Sequence, residues 1–231
     1  MNQDKIMIVC AGAPNPALHK IAKIKASEDQ LFFIGVDRGA LKLVDRGYIV
    51  DIAIGDFDSV SAPEMKRIKE NSREVYELPT EKDLTDTEIA FSWISEHYPN
   101  SQIYVFGSLG EGQGRLDHLV SNLFMIYRPE LTDLLYHTNM IEGHTEIAWY
   151  NKGQHTIEVG NVLPDYVSII TMTQVKGLSI QDARYQLDKR DFSYPMALIS
   201  NEFIDLNTNI QLSITEGSVM VMKVNESDKE L

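Results

Sequence analysis

The chain of 231 residues has a single cysteine, Cys10. That excludes an internal disulfide and a cysteine-rich zinc site, and it suits a reducing compartment, so a cytoplasmic protein is expected. Basic residues are also scarce, with 21 Lys and Arg against 34 Asp and Glu and a formal charge of −13. A nucleic-acid backbone would meet a repulsive average field, which argues against nucleic acid as a partner. No apolar run approaches the ~20 residues that span a bilayer, so no membrane partner is expected either. Lys5 followed by IMIVCAGA superficially resembles a signal peptide, but Asp4 and the early Pro14 argue against one. Repeats, low-complexity tracts and long linkers are missing, and the tail NESDKEL is expected to fray.

What is present is 43% apolar content, enough for an ordinary core, arranged in two textures. Residues 1–140 alternate strand-like runs with helical patterns: IMIVCA, LFFIGV, DIAIGD, EVYELP, QIYVFG and LTDLLYH (131–137). That alternation predicts an α/β domain with a mostly parallel sheet. Leu116, Leu119, Val120, Leu123, Phe124 and Tyr127 form the stripe of an amphipathic helix, with His118, Ser121 and Asn122 on its other side. A second helix begins near Thr85, where Thr85 and Glu88 make a capping-box pattern and Ile89, Ala90, Trp93 and Ile94 supply a buried face. Residues 141–231 consist of short β-rich runs punctuated by glycines, which predicts a separate all-β sandwich or barrel.

The polar residues fall in a pattern. Gly12, Asp37, Asp56 with Asp58, the segment from Thr80 to Asp83, and Gly107 all lie just beyond the carboxyl ends of predicted parallel strands. In open α/β sheets that edge holds the ligand, although Asp and Gly also make ordinary turns there. Two carboxylates about 4 Å apart repel by ~4 kcal/mol at an effective dielectric near 20. Asp56, Asp58, Asp83 and Asp86 can therefore converge only with a cation or with shifted protonation states. Mg2+ suits them, because it is a hard ion that takes one or two carboxylates together with substrate phosphates and water. The loop CAGAPNP offers backbone N–H groups to an anion, and GSLGEGQGRLDH (107–118) adds four glycines and Arg115, whose fork binds phosphate oxygens. Asp117 and His118 follow, each with an ordinary helix-start or solvated role as the alternative.

Taken in order, IAIGDFDS, TEKDLTDTEIA, GRLDHLVSN, ARYQL (183–187) and LISNEF (198–203) resemble the thiamine pyrophosphokinase (thiamine diphosphokinase) family over nearly the whole chain. The resemblance implies transfer of a pyrophosphoryl group from ATP to the hydroxyl of thiamine, giving thiamine diphosphate and AMP with Mg2+ required. It implies a Rossmann-like catalytic domain, a β-sandwich domain that binds thiamine and dimerises, and a homodimer. By motif, Asp56, Asp58 and Asp86 are metal ligands, with Asp37, Asp83, Arg115 and Asp117 around the phosphates and substrate. Gly12 and His118 join Asp37 and Arg115 on the ATP side, and Lys82 joins Asp83 on the thiamine side. Tyr185, Ser200 and Asn201 match positions that contact thiamine from the neighbouring subunit. Two departures stand out: a short Gly-Gly-Arg turn appears as the longer GEGQGR, and Asp182 sits where a glycine is common.

The residues fit this chemistry, since phosphoryl-type transfer depends on positioning and charge neutralisation. A dedicated base is not required; Asp83 is the candidate for one. A cationic thiazolium would be attracted to an acidic pocket with an aromatic face. Two alternatives remain open: a pyrophosphokinase for another heteroaromatic alcohol, such as a hydroxymethylpterin, and a non-catalytic thiamine- or nucleotide-binding regulator. Metal-dependent phosphatases also use D-x-D, but their aspartyl nucleophile belongs at the first strand, where this chain has Cys10.

Overall fold

The run Val50–Gly55 is buried at every position, the pattern of a central parallel strand covered on both faces. The structure, a computed structural model, describes residues 5–24, 26–27, 30–110 and 115–226. It divides into two units, Met1–Glu142 and Gly143–Leu231. The first carries strands β1 (Ile6–Cys10), β2 (Leu31–Val36), β3 (Val50–Gly55), β4 (Ser72–Glu77), β5 (Gln102–Phe106) and β6 (Thr138–Ile141). They lie in the order β6-β5-β1-β2-β3-β4, all parallel.

The order reverses at β1, so the crevice of an open α/β sheet falls at the ends of β1 and β5. There the Ala11 N–H donates to Phe106 O at 2.8 Å and the Ala13 N–H to Gly107 O at 3.0 Å, tying the two following loops together. The approach is close enough to dictate glycine. Gly107 has φ 72, and a Cβ on it would stand 2.6 Å from Ala11 O; one on Gly39 would stand 1.9 Å from Cys10 O.

Helices α1 (Arg38–Asp45), α2 (Ala62–Glu70), α3 (Asp86–His97), α4 (Leu116–Phe124) and α5 (Thr132–Leu135) complete this unit. The expected cap of α3 is present: Glu88 N–H donates to Thr85 Oγ1 at 3.2 Å and Thr85 N–H to Glu88 Oε2 at 2.8 Å, while Ala90 and Ile94 are buried. No helix among the described residues is long and apolar enough to cross a membrane.

Two sequence expectations are corrected. The run 131–137 is not a strand: Thr132–Leu135 is a short helix and the strand follows at Thr138. The buried residues Leu131, Leu134 and Leu135 repeat at helical spacing, which a short apolar run conceals. The apolar stripe of α4 is also largely uncovered, with only Leu119 and Leu123 half-buried. Leu116 is 72% exposed, and Val120, Phe124 and Tyr127 are exposed, whereas Asn122 is buried. Asn122 turns inward because its Nδ2 donates to Ser108 O at 2.9 Å.

The second unit is a sandwich of two antiparallel sheets. One contains β7 (Thr145–Tyr150), β9 (Tyr166–Thr171), β12 (Ala197–Asn201) and β14 (Val219–Val224), in the order β12-β9-β14-β7. The other contains β8 (Gly153–Ile157), β10 (Val175–Gln181), β11 (Leu187–Phe192) and β13 (Ile210–Ile214), in the order β11-β10-β13-β8. Alternation places Ile210, Leu212 and Ile214 inward and Gln211 outward, and the inward residues meet Val167, Ile169 and Val221 in one core.

Cys10 lies fully inside the first unit, and burial pushes its thiol up to about 12, with only partial relief from the Lys42 ammonium. The folded thiol stays protonated where an unfolded one would ionise, so stability is lost as pH rises past the unfolded value. A thiol-alkylating reagent at pH 8 is expected to leave the native chain unmodified and to label it only at its unfolding rate. Prompt labelling of the native chain would contradict this burial.

Candidate functional site

Three of the strand-end aspartates meet. Asp37 follows β2, and Asp56 and Asp58 follow β3; each offers an oxygen within 4.8 Å of the others'. The backbone is bent to bring them there. Asp37 has φ 49 and Phe57, between the other two, has φ 54, conformations that cost on the order of 1–3 kcal/mol each away from glycine. Gly55 allows the approach, because a Cβ on it would stand 3.0 Å from the Asp37 backbone. Asp37 is held by its N–H on Ile54 O at 2.9 Å and by the Ser59 hydroxyl, which donates to Oδ2 at 2.8 Å. Its Oδ1 is buried with no hydrogen-bond partner among the described residues. Three clustered carboxylates with an unsatisfied buried oxygen fit a hard divalent cation such as Mg2+.

Asp86, expected as a metal ligand, lies outside this group of three but near it, and its Oδ1 too is buried with no hydrogen-bond partner among the described residues. The Lys82 ammonium lies 2.8 Å from Asp56 Oδ2 and 3.2 Å from Asp86 Oδ1. The hydrogen bond from Lys82 holds the Asp56 carboxyl below its ordinary range, whereas burial pushes Asp86 up despite the same lysine. Burial pulls Lys82 down, but its pairing with Asp56 and Asp86 outweighs this and raises it. Asp83 is exposed in the same loop.

The loop after β5 is fixed from beneath. The Leu109 N–H donates to Glu142 Oε1 at 3.1 Å, Asn122 holds Ser108 O, and the buried Lys20 ammonium donates to Glu142 O. Lys42, from α1, donates to Ala13 O in the Gly12 loop. Arg38 donates to Ser59 O at 2.6 Å and pairs with Glu64 at 3.1 Å, steadying the turn that carries Asp58. Residues 111–114, which hold most of the GEGQGR departure, lie outside the described residues. Beyond them Arg115 is exposed and bonds Asp117 through both arms of its fork, with Nε to Oδ1 at 3.1 Å. The Asp117 pair raises Arg115, and Arg115 in turn lowers Asp117. Asp117 Oδ1 also accepts the His118 N–H at 3.0 Å, and the His118 side chain is exposed.

In the second unit Tyr185 is 58% exposed and Ser200 is exposed with φ 59, but Asn201 is buried. The Asn201 carboxamide is engaged with backbone: Oδ1 accepts Tyr185 N–H and Glu202 N–H, both at 2.9 Å, and Nδ2 donates to Tyr185 O at 2.8 Å. Asn201 thus clips the segment that presents Tyr185. The Arg184 guanidinium sits 5.7 Å from the Tyr185 ring centroid and pairs with Glu202 at 2.6 Å. Asp182 has φ 59, a backbone that glycine takes freely and aspartate tolerates.

Sequence reasoning left Ser59, Lys20 and Glu142 without a role. Ser59 closes the D-x-D-S motif and was visible in it; Lys20 and Glu142 carry no local signal, since only the fold makes them neighbours.

Two family models match the chain. Residues 25–135 match the family described as thiamin pyrophosphokinase, catalytic domain, and residues 154–219 match thiamin pyrophosphokinase, vitamin B1 binding domain. The chain is 29% identical over 202 residues to the thiamine pyrophosphokinase of Bacillus subtilis, covering 87% of this chain and 90% of that protein. A thiamin pyrophosphokinase family protein from Enterococcus faecalis superposes with TM-score 0.84 at 26% identity, covering 96% of this chain and 100% of the other. The Bacillus subtilis thiamine pyrophosphokinase structure gives 0.81 at 27%, with the same coverage.

Asn201→Ala should destabilise the second unit by about 1 kcal/mol, because it removes three part-buried hydrogen bonds to the Tyr185 and Glu202 backbone. Urea unfolding of the ligand-free chain measures this. An unchanged midpoint would mean that the carboxamide does not hold the Tyr185 segment.

Proposed function

We infer that this chain, which belongs to the thiamin pyrophosphokinase family, is a thiamine diphosphokinase, transferring a pyrophosphoryl group from ATP to the hydroxyl of thiamine. The observation that carries the site assignment is the meeting of Asp37, Asp56 and Asp58 at the sheet edge. In the reaction the thiamine hydroxyl oxygen bonds to the β-phosphorus of ATP. The bond from that phosphorus to the oxygen retained by AMP breaks, and the hydroxyl proton leaves to an acceptor. Asp83, exposed in the loop after β4, is the candidate acceptor.

Asp37, Asp56 and Asp58 would hold Mg2+, which when bound supplies charge neutralisation to the phosphate oxygens. The Gly12 and Gly107 loops offer backbone N–H groups to the ATP phosphates, with Lys42, Asn122 and Glu142 keeping those loops in place. Arg115 supplies a planar fork for phosphate oxygens once it exchanges Asp117 for them, and His118 lies next to it at the start of α4.

In the second unit, the Tyr185 ring packs on the thiamine ring system and the Ser200 hydroxyl bonds it, with Asn201 fixing the backbone between them. The cationic thiazolium suits an aromatic face in a chain of net charge −13. The working form is a homodimer in which this unit completes the thiamine site of the neighbouring subunit. Support comes from large apolar side chains left exposed, Leu116, Val120 and Phe124 along α4 and Tyr194, Ile199 and Ile204 in the second unit.

Purified protein with ATP, Mg2+ and thiamine should yield AMP and thiamine diphosphate; ADP or free phosphate as the product would overturn the assignment. Asp56→Asn and Asp58→Asn should each lower turnover by roughly two or more orders of magnitude with the fold retained, since charge is removed at nearly constant volume. Wild-type turnover in either at limiting Mg2+ would remove it from the ligand set.

Mixing Asp56→Asn chains with Tyr185→Ala chains tests the shared site, since a mixed dimer would contain one site built from two intact halves. With subunit exchange verified, activity no higher than either parent's would assign Tyr185 to its own subunit.

A further inference from the structure

Lys82 follows the motif that suggested a thiamine contact, yet its head group is turned inward. An ammonium has three N–H donors. Lys82 donates to Asp56 Oδ2 at 2.8 Å and to Pro79 O at 3.1 Å, and its ammonium is ion-paired with Asp86 Oδ1 at 3.2 Å. Its side chain is 14% exposed and that of Asp56 is 11% exposed, so both are lodged in the site rather than reaching from it. The thiazolium of thiamine is itself positive and would be repelled by a neighbouring ammonium. What the geometry provides is a fixed positive charge on a carboxylate that belongs to the divalent-cation group.

We propose that Lys82 is the built-in counter-cation of the carboxylate site, holding one oxygen of Asp56 in competition with a divalent cation and thereby keeping the affinity for free metal low. The proposal rests on the reading of Asp56 as a metal ligand. Asp37, Asp56, Asp58 and Asp86 with one ammonium leave three net negative charges in place of four. Each unscreened carboxylate pair near 4 Å costs about 4 kcal/mol at an effective dielectric of 20, so a cluster without the lysine would capture a divalent ion by itself. The phosphates of ATP bring further negative charge and ligand oxygens, which outweigh a single ammonium. Metal and nucleotide then bind best as a unit, and metal alone fills the site only at higher concentration. Lys82 is in this sense a positioning residue, acting through Asp56 and not on the reacting atoms.

The test is the affinity of the full chain for Mn2+ alone, read from the electron paramagnetic resonance signal of free Mn2+, with folding checked by circular dichroism. Lys82→Gln is expected to bind Mn2+ about tenfold more tightly than wild type without nucleotide, and Lys82→Arg, which keeps the charge, to stay within about twofold. The advantage of Lys82→Gln should shrink when ATP is present. Equal or weaker Mn2+ binding by Lys82→Gln, or tightening by Lys82→Arg as large as that by Lys82→Gln, overturns the proposal. Asp56→Asn separates the two readings. Unchanged Mn2+ affinity there removes the metal assignment and this proposal with it, whereas a loss there with no gain in Lys82→Gln removes only the counter-cation role. Should Lys82→Gln fail to fold, the wild-type chain still decides. The 15N-labelled Lys82 Nζ resonance, identified by its disappearance in Lys82→Arg, must shift when Mg2+ is added, and an unmoved resonance at saturation overturns the proposal.

Discussion

Carboxylates repel, and this chain gathers them at one edge of a sheet. That repulsion is the constraint around which the first unit is arranged. Asp37 and Phe57 occupy backbone conformations that side chains avoid, and Gly55 gives up a side chain so that the ends of β2 and β3 can approach. Ser59 spends its hydroxyl on Asp37, Arg38 holds Ser59 through its carbonyl, and Lys82 faces Asp56 and Asp86 at once. Strain of on the order of 1–3 kcal/mol at each unusual residue persists only where the surroundings over-determine it. Here the surroundings are a fully buried parallel strand on one side and a capped helix on the other.

Much of this was legible in the sequence because it is local. The strand ends are marked by apolar runs that stop at Gly or Asp, and the cap of α3 is written in Thr85 and Glu88. The positions where side chains meet were less legible. Asp58 and Asp86 are equivalent candidates in the sequence, but only the course of the loop after β4 turns Asp86 toward Lys82 and leaves Asp37 beside Asp56. The stripe of α4 misled for a related reason. Periodicity identifies an apolar face but not what covers it, and within this chain Asn122 takes the inward position through one buried hydrogen bond. Glu142 and Lys20 were invisible because they lie far apart in sequence and act on a backbone N–H and a carbonyl, groups that every residue has.

Those invisible residues decide how firmly the loops after β1 and β5 are held. A glycine-rich loop loses more conformational freedom on ordering than any other, so it binds an anion well only when something else restrains it. In this unit the restraint is polar and buried: Asn122 on Ser108 O, Glu142 on Leu109 N–H, and the Ala13 N–H on Gly107 O. A buried carboxylate is expensive without partners, and Glu142 has the Leu109 N–H for its side chain while Lys20 bonds its carbonyl. The same groups that satisfy Glu142 therefore keep the loop after β5 in register with the loop after β1.

The second unit solves a different problem by similar means. An exposed aromatic on a surface segment is a poor recognition element if it is free to move, because ordering it on binding consumes affinity. Tyr185 is exposed, yet its own N–H and C=O are both bonded to the Asn201 carboxamide, and Arg184 pairs with Glu202 alongside. The neighbouring Asp182 and Ser200 both have φ 59, the one in a bend and the other at an irregularity in the pairing of β12. The departure of Asp182 from glycine thus changes the strain of one bend, while the Tyr185 backbone stays held by Asn201. Within the first unit a lysine thus steadies the edge of carboxylates, and within the second the backbone of an exposed aromatic is held by one buried carboxamide.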